Sequence, residues 1–238
     1  MGSKFLTFLI HVKGKRRCLP KKLHSYGHNI VLLGDFNPKI FQPAWFGSEG
    51  LIRKPEVDGA KIEVVHQEVV IFTLEWLKIE VTRERFWAAT LQESYDEPVR
   101  DLVVSTFRIL RHTPLRKMGI NLEEHFQIQS EERWHSIGHT LAPKEAWEGV
   151  VLNPGMNSLV IQGTRPDNLK GYVQVNVGPS PPPVHPGVRF GVNDHFEVEK
   201  PDSVIGGDEI MNILENNWVE SRKRAVTIMR TLMERLNG

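Results

Sequence analysis

Four short runs in which apolar and polar residues alternate stand almost end to end at residues 61–66, 69–75, 77–82 and 86–91. Within them Ile62 and Val64, then Leu77, Ile79 and Val81, fall on every second position. That spacing puts apolar side chains on one face of a strand and polar ones on the other. One to three residues separate consecutive runs, and a parallel pair needs a crossover of a dozen residues or more. The segment is therefore read as an antiparallel meander. A helix follows, opened by Asp96 ahead of Pro98, with Val99, Leu102, Val103, Thr106, Phe107 and Leu110 at the helical period. His112, Thr113 and Pro114 close it.

The flanks extend this pattern. Upstream, residues 29–36 form a nearly continuous apolar run stopped by Asn37 and Pro38, as expected of a buried strand. Residues 40–46 crowd large apolar groups around Pro43, which predicts a turn or a single helical turn with Trp45 and Phe46 in the core. Downstream, a strand is expected at 123–129, a short helix at 131–138, and a boundary in the Pro/Gly-marked stretch 143–155. Strands are then expected at 158–163, 171–177 and 188–199, with the proline-rich residues 179–186 as a stiff hairpin connection. A long helix over 208–236 follows, capped by Asp208.

The expected fold class is thus α+β, with two antiparallel β-meanders each closed by an amphipathic helix. The expected organisation is a basic segment at 1–28, a first meander and helix at 29–142, and a second at 156–238. The last helix carries Ile210, Ile213, Leu214, Trp218, Ala225, Ile228, Met229, Leu232 and Leu236 near one face, and Arg222, Lys223, Arg224 and Arg230 mostly toward water. Its length exceeds what a sheet of short strands needs. Its later turns, with Trp218, Arg222, Lys223, Arg224 and Arg230 as the binding residues, are the expected contact for a second copy or another protein.

Composition narrows the setting. With 238 residues, 40% hydrophobic and 25% charged, the chain can bury a core unaided. A single cysteine, Cys18, excludes an internal disulfide and a multi-cysteine metal cluster, and suits a reducing cytoplasm. The apolar run at 5–10 is too short for a membrane span, so no membrane association is expected. Residues 1–34 hold seven Lys/Arg and no acidic residue. Nucleic acid bound through residues 1–28 is one reading of that charge, and a solvated leader is the other.

For chemistry, the string Gly34-Asp35-Phe36-Asn37 resembles the Gly-Asp-Phe-Asn strand end of the endonuclease/exonuclease/phosphatase family. In that family Asp and Asn stand at a metal-dependent phosphodiester hydrolysis site with a distal Asp-His pair, for which Asp194 and His195 are the matching residues. The resemblance would make Asp35, Asn37, Asp194 and His195 catalytic. Three checks oppose it. No Asp or Glu precedes Asp35 to serve as the upstream metal ligand. The two motifs stand much farther apart than in that family. Strand parity places Asp194 with apolar Val188, Phe190, Val192, Phe196 and Val198, and His195 on the opposite face. The motif is read as coincidental and no catalytic residue is assigned. No His-Glu-x-x-His or phosphate-binding loop occurs, and the scattered His125, His135 and His139 are read as ordinary residues, so no metal and no cofactor is expected.

In the layout of residues 35–46, of 112–115 with 118–121, and of 192–196 before a long final helix, the chain resembles a sporadically distributed bacterial family of about this length. The resemblance covers residues 29–236. It carries no catalytic residues and implies, by association, a place in an accessory or defence gene set. The expected function is a non-catalytic interaction or regulatory protein that binds itself or a protein partner through its sheet edge and last helix.

Overall fold

The computed structural model describes residues 22–199 and 206–236. The basic residues 1–21 therefore lie outside the described residues, while residues 22–28 begin the first strand. Nine described strands form one antiparallel sheet: β1 (Lys22–Gly34), β2 (Lys61–Val65), β3 (Val69–Thr73), β4 (Lys78–Thr82), β5 (Arg85–Thr90), β6 (Leu115–Gln127), β7 (Leu159–Thr164), β8 (Gly171–Pro179) and β9 (Gly187–Glu197). Their spatial order is β2-β3-β4-β5-β1-β6-β9-β8-β7.

This order corrects the expectation of two meanders. β1 pairs with β5 on one side and β6 on the other, and β6 pairs directly with β9, so the strands before and after residues 143–155 share one sheet. Local patterning marks strands but carries no record of pairings between segments tens of residues apart. The strand expected at 123–129 starts at Leu115 instead. Met118, Ile120 and Leu122 alternate with Gly119, Asn121 and Glu123, but glycine and asparagine are poor strand formers and hide the period.

Register fixes what each face presents. One row across the sheet reads Phe72, Ile79, Ala88, Ile30, Ile120, Asp194, Val173. The adjacent row, on the opposite face, reads Thr73, Lys78, Ala89, Asn29, Asn121, Asn193, Gln174, Gln162. The first row is apolar except for Asp194, and the same face also buries His28, Thr90 and Glu124. Five helices contribute to the core there: α1 (Pro43–Ser48), α2 (Lys54–Asp58), α3 (Asp96–Ile109), α4 (Glu131–Leu141) and α5 (Gly206–Leu236).

Two hydrophobic clusters lie side by side under these helices. The first gathers Phe41, Phe46, Phe72, Phe86 and Phe107 with Val99 and Val103 of α3. The second gathers Leu122, Phe126, Val188, Phe190 and Ile137 of α4. Each fully buried side chain of this size stabilises the fold by roughly 1.5–3 kcal/mol. Helix α5 joins the two: Ile210, Met211, Leu214 and Trp218 enter the first cluster, and Ala225, Met229 and Met233 the second. At about 1.5 Å per residue, its 31 residues serve both halves of the sheet. The length read as surplus is used inside the fold, because one long sheet needs one long cover. None of the described helices is long and apolar enough to cross a membrane.

Candidate functional site

The four residues of the nuclease resemblance do not meet. Asp35 follows β1 in an exposed position, where its Oδ2 accepts from Arg116 Nη1 at 3.0 Å. Asn37 caps the short turn at Pro38–Ile40, its Oδ1 accepting from Lys39 N at 3.3 Å. Asp194 is buried beneath α5, and His195 stands on the opposite face, stacked on Tyr172 with ring centroids 4.3 Å apart. Burial holds the His195 imidazole below its usual range. Among the described residues, no group of three His, Cys, Asp or Glu could hold a metal ion.

Asp194 belongs to a closed ion network. Its carboxylate accepts from Ser221 Oγ at 2.6 Å and from Nη1 of both Arg165 and Arg224. Arg165 grips Asp167 with Nε at 2.8 Å and Nη2 at 2.7 Å, and donates from Nη1 to the His195 carbonyl at 3.0 Å. Arg224 Nη2 reaches Asp167 Oδ2 at 3.0 Å. The hydrogen bonds from Arg165 hold the Asp167 carboxyl below its usual range. Two cations meet two anions, and the geometry fastens α5 to β9 and to the turn after β7. Among the described residues each of these four charges has a partner within the network.

A second polar cluster is built differently. Asp96, at the start of α3, accepts from the Tyr26 hydroxyl and from Arg222 Nη2 at 2.8 Å. His28 is fully buried, edge-on to Trp218 at 4.7 Å, with Nδ1 4.0 Å from Asp96 Oδ1. Among the described residues, neither ring nitrogen of His28 has a hydrogen-bond partner, nor have Asp96 Oδ1, Trp218 Nε1 and Arg222 Nε. Burial, with a smaller push from Arg222, lowers the His28 pKa to about 3, while burial raises that of Asp96. This cluster ties α3, α5 and β1 together with its hydrogen-bonding capacity unfilled.

The residues expected to bind on the last helix are thereby divided. Trp218 is core, Arg222 serves Asp96, and Arg224 serves Asp194, so the expectation that both arginines face water is corrected. The helical period could not foresee this, because both carboxylates arrive from distant segments. Lys223 and Arg230 are exposed. Trp218, Arg222, Lys223 and Arg230 line one shallow cleft of about 420 Å³ beside Glu97 and Val226, and Arg224 is not part of it.

The sheet has two edges of unlike character. β2 carries Lys61 and Glu63 and has a register shift between Ile62 and Val64. Glu63 Oε1 accepts from Lys78 Nζ at 3.0 Å and from Thr73 Oγ1 at 3.1 Å. These are the charges and irregularity with which edges are guarded against unwanted pairing. β7 has none of them. Five of its six residues are exposed, among them Val160 at 49% and Ile161 at 56%. Leading to it, Trp147, Val150, Val151 and Leu152 are exposed as well. Residues 149–164 contain no charged side chain, in a chain where one residue in four is charged. That uncharged run is a linear signal, and it marks the edge without any knowledge of the fold. No family model and no curated protein matches the chain.

Proposed function

We propose that this is an interaction protein that joins a second copy of itself by antiparallel pairing of two β7 edges. The observation that carries the reading is the exposed, uncharged β7 at the end of a sheet whose other edge is guarded. An open edge offers a row of unpaired backbone donors and acceptors, and strand addition satisfies them. Antiparallel self-pairing about a two-fold axis sets each residue against its own sequence. Any charge in such a strand would enter the joint twice and guard it against pairing, and β7 has none. The exposed apolar residues at 147–152 precede the strand by a short segment and offer further area for association to remove from water. A place in a bacterial accessory or defence gene set, which the family resemblance implies, fits a protein that acts by association.

Sedimentation of the full chain at micromolar concentration tests this. Twice the monomer mass is expected, falling to the monomer mass in Ile161→Lys and remaining doubled in Ile62→Lys, the same change on the guarded edge. A monomeric parent chain, or a dimer indifferent to Ile161→Lys, would overturn the reading.

A further inference from the structure

The face of the sheet opposite the helices is not an ordinary solvated surface. Its central row runs Asn29, Asn121, Asn193, Gln174 across four adjacent strands and ends at Gln162 on β7. Solvated antiparallel faces usually carry charged and β-branched residues, and asparagine is disfavoured in strands. Here amides occupy five successive rungs. Asn121 Nδ2 donates to Asn29 Oδ1 at 2.8 Å. No hydrogen bond occupies the side chains of Asn193 and Gln174 among the described residues, and Asn193 Oδ1 is a buried acceptor without a partner.

The neighbouring row reads Trp87, Val31, Gly119, His195, Tyr172. It sets an indole at one end and the stacked His195–Tyr172 pair at the other, with glycine between. A Cβ at Gly119 would stand 2.9 Å from Asn193 Oδ1 and 3.4 Å from Asn121 Nδ2. The two amides therefore lean over the backbone that glycine leaves bare. His195 is buried beside them, its Nε2 3.5 Å from Glu197 Oε1. Gly27 and Gly191 open the same face, yet a Cβ at either would meet nothing closer than 3.8 Å. Packing does not require glycine there, and glycine weakens a strand. A strand-interior glycine on an open face marks a place where something approaches the backbone closely. At the Asn29 end of the row lies a cleft of about 450 Å³ lined by Gly27, Asn29, Trp87, Ala89 and Leu91 among others, a volume suited to a ligand.

The charges say what kind of ligand. The four cations that β4, β5, β6 and β9 present on this face are each matched by a carboxylate: Lys78 by Glu63, Arg85 by Glu80, Lys117 by Glu197 and Arg189 by Glu123, all at 3.0 Å. A nucleic acid would stack on the same aromatic rings but draws on free cations for its phosphates, and on these four strands each is already matched, which leaves Lys61 on the distant β2 edge. A neutral ligand rich in hydroxyls has no such need. Amide side chains donate and accept at once, which suits vicinal hydroxyls, and aromatic rings cover the C–H face of a sugar ring. The rungs repeat at the strand spacing of about 4.8 Å, close to the length of one hexose unit.

We infer that the open face of the sheet binds a neutral oligosaccharide of about four units, a length set by that spacing over the row from Asn29 to Gln162. The amides of Asn121, Asn193 and Gln174 address its hydroxyls, and Trp87 and the Tyr172–His195 stack receive its ring faces. Gly119 leaves the Asn193 and Asn121 amides the room in which they are held.

The full chain is to be screened against cello-, chito-, malto- and manno-oligosaccharides of about that length, and the strongest binder titrated by calorimetry. Trp87→Ala, Asn193→Ala and Gly119→Ala are each expected to weaken binding by about tenfold or more, with Gln174→Ala as the mildest change. Ile62→Lys and Ile161→Lys leave the affinity for one copy unchanged, so failure here is separable from failure of self-association. Circular dichroism and melting identify any variant that has lost its fold, and Gln174→Ala, at a half-exposed site, keeps the test available if the others unfold. The inference is overturned if none of these sugars binds, if binding ignores Trp87→Ala and Asn193→Ala in folded protein, or if a single-stranded oligonucleotide displaces the sugar.

Discussion

Helix α5 is held to the sheet at two polar points, and the two are built on opposite principles. At Asp194 each formal charge has a partner and the carboxylate is saturated by Arg165, Arg224 and Ser221. At His28 and Asp96, which meet α5 at Trp218 and Arg222, five buried polar atoms are left without hydrogen bonds among the described residues. The first point works by completeness, so its strength depends on all members being present. The second holds a neutral imidazole against an indole and keeps one carboxylate only partly compensated, so its strength depends on protonation. A buried polar group is stabilising when satisfied and costly when not, and this molecule contains both cases under one helix.

The largest effect that separates them is deletion at the closed point. Asp194→Ala leaves Arg165 and Arg224 facing each other, with Arg165 1% exposed at its side chain. Chemical denaturation is expected to report a loss of about 3–5 kcal/mol, the cost of stranding a buried charge. A loss below about 1 kcal/mol would show that the network relaxes toward water, as exposed ion pairs do.

The next effect belongs to the open point and depends on pH. His28 has a folded pKa of about 3 against an ordinary value of 6.5, so the unfolded chain takes up the proton first as pH falls. Its contribution is fully present above pH 6.5 and declines as pH drops toward 3. Between pH 7 and pH 5 the loss should be about 2 kcal/mol. Asp96, raised by burial, has the opposite sign: it favours the fold at low pH and disfavours it as pH rises through its raised value. Urea midpoints at the two pH values check the sum. His28→Leu should remove most of the slope over that window, and a slope that survives would assign it elsewhere.

The smallest effect sharpens the contrast from outside. Lys223 points to solvent between the two points and meets Glu220 at 3.7 Å, both side chains more than 60% exposed. Lys223→Ala should change stability by no more than about 0.5 kcal/mol and lose even that at high salt.

Much of this arrangement could be read along the chain. The alternation at residues 61–91 became β2 to β5, Asp96 did open α3, and strand parity did put Asp194 among apolar neighbours with His195 on the other side. Strand parity even marked Asp194 as anomalous, a lone acid in an apolar row. What it lacked was the partner. Arg165 sits in a turn 29 positions away and Arg224 on a helix 30 positions away, and their convergence depends on how β7, β8, β9 and α5 assemble. The same holds for the amide row. Asn29, Asn121, Asn193 and Gln174 are unremarkable singly in four separate strands, and register alone sets them side by side. The uncharged run at residues 149–164 is the contrary case, visible in the sequence yet without meaning until β7 proved to be an edge.

The sequence by itself therefore determined the elements and their faces, because strand and helix periodicity are local properties of neighbouring side chains. It also determined that an apolar stripe on the last helix would be buried. Only the tertiary structure decided that the strands form one sheet rather than two meanders, and that α5 spans two clusters. It alone decided which strand is left at each edge and which amides share a row. Those outcomes depend on pairings between segments far apart in the chain, whose free energy comes from register and burial that no local window contains.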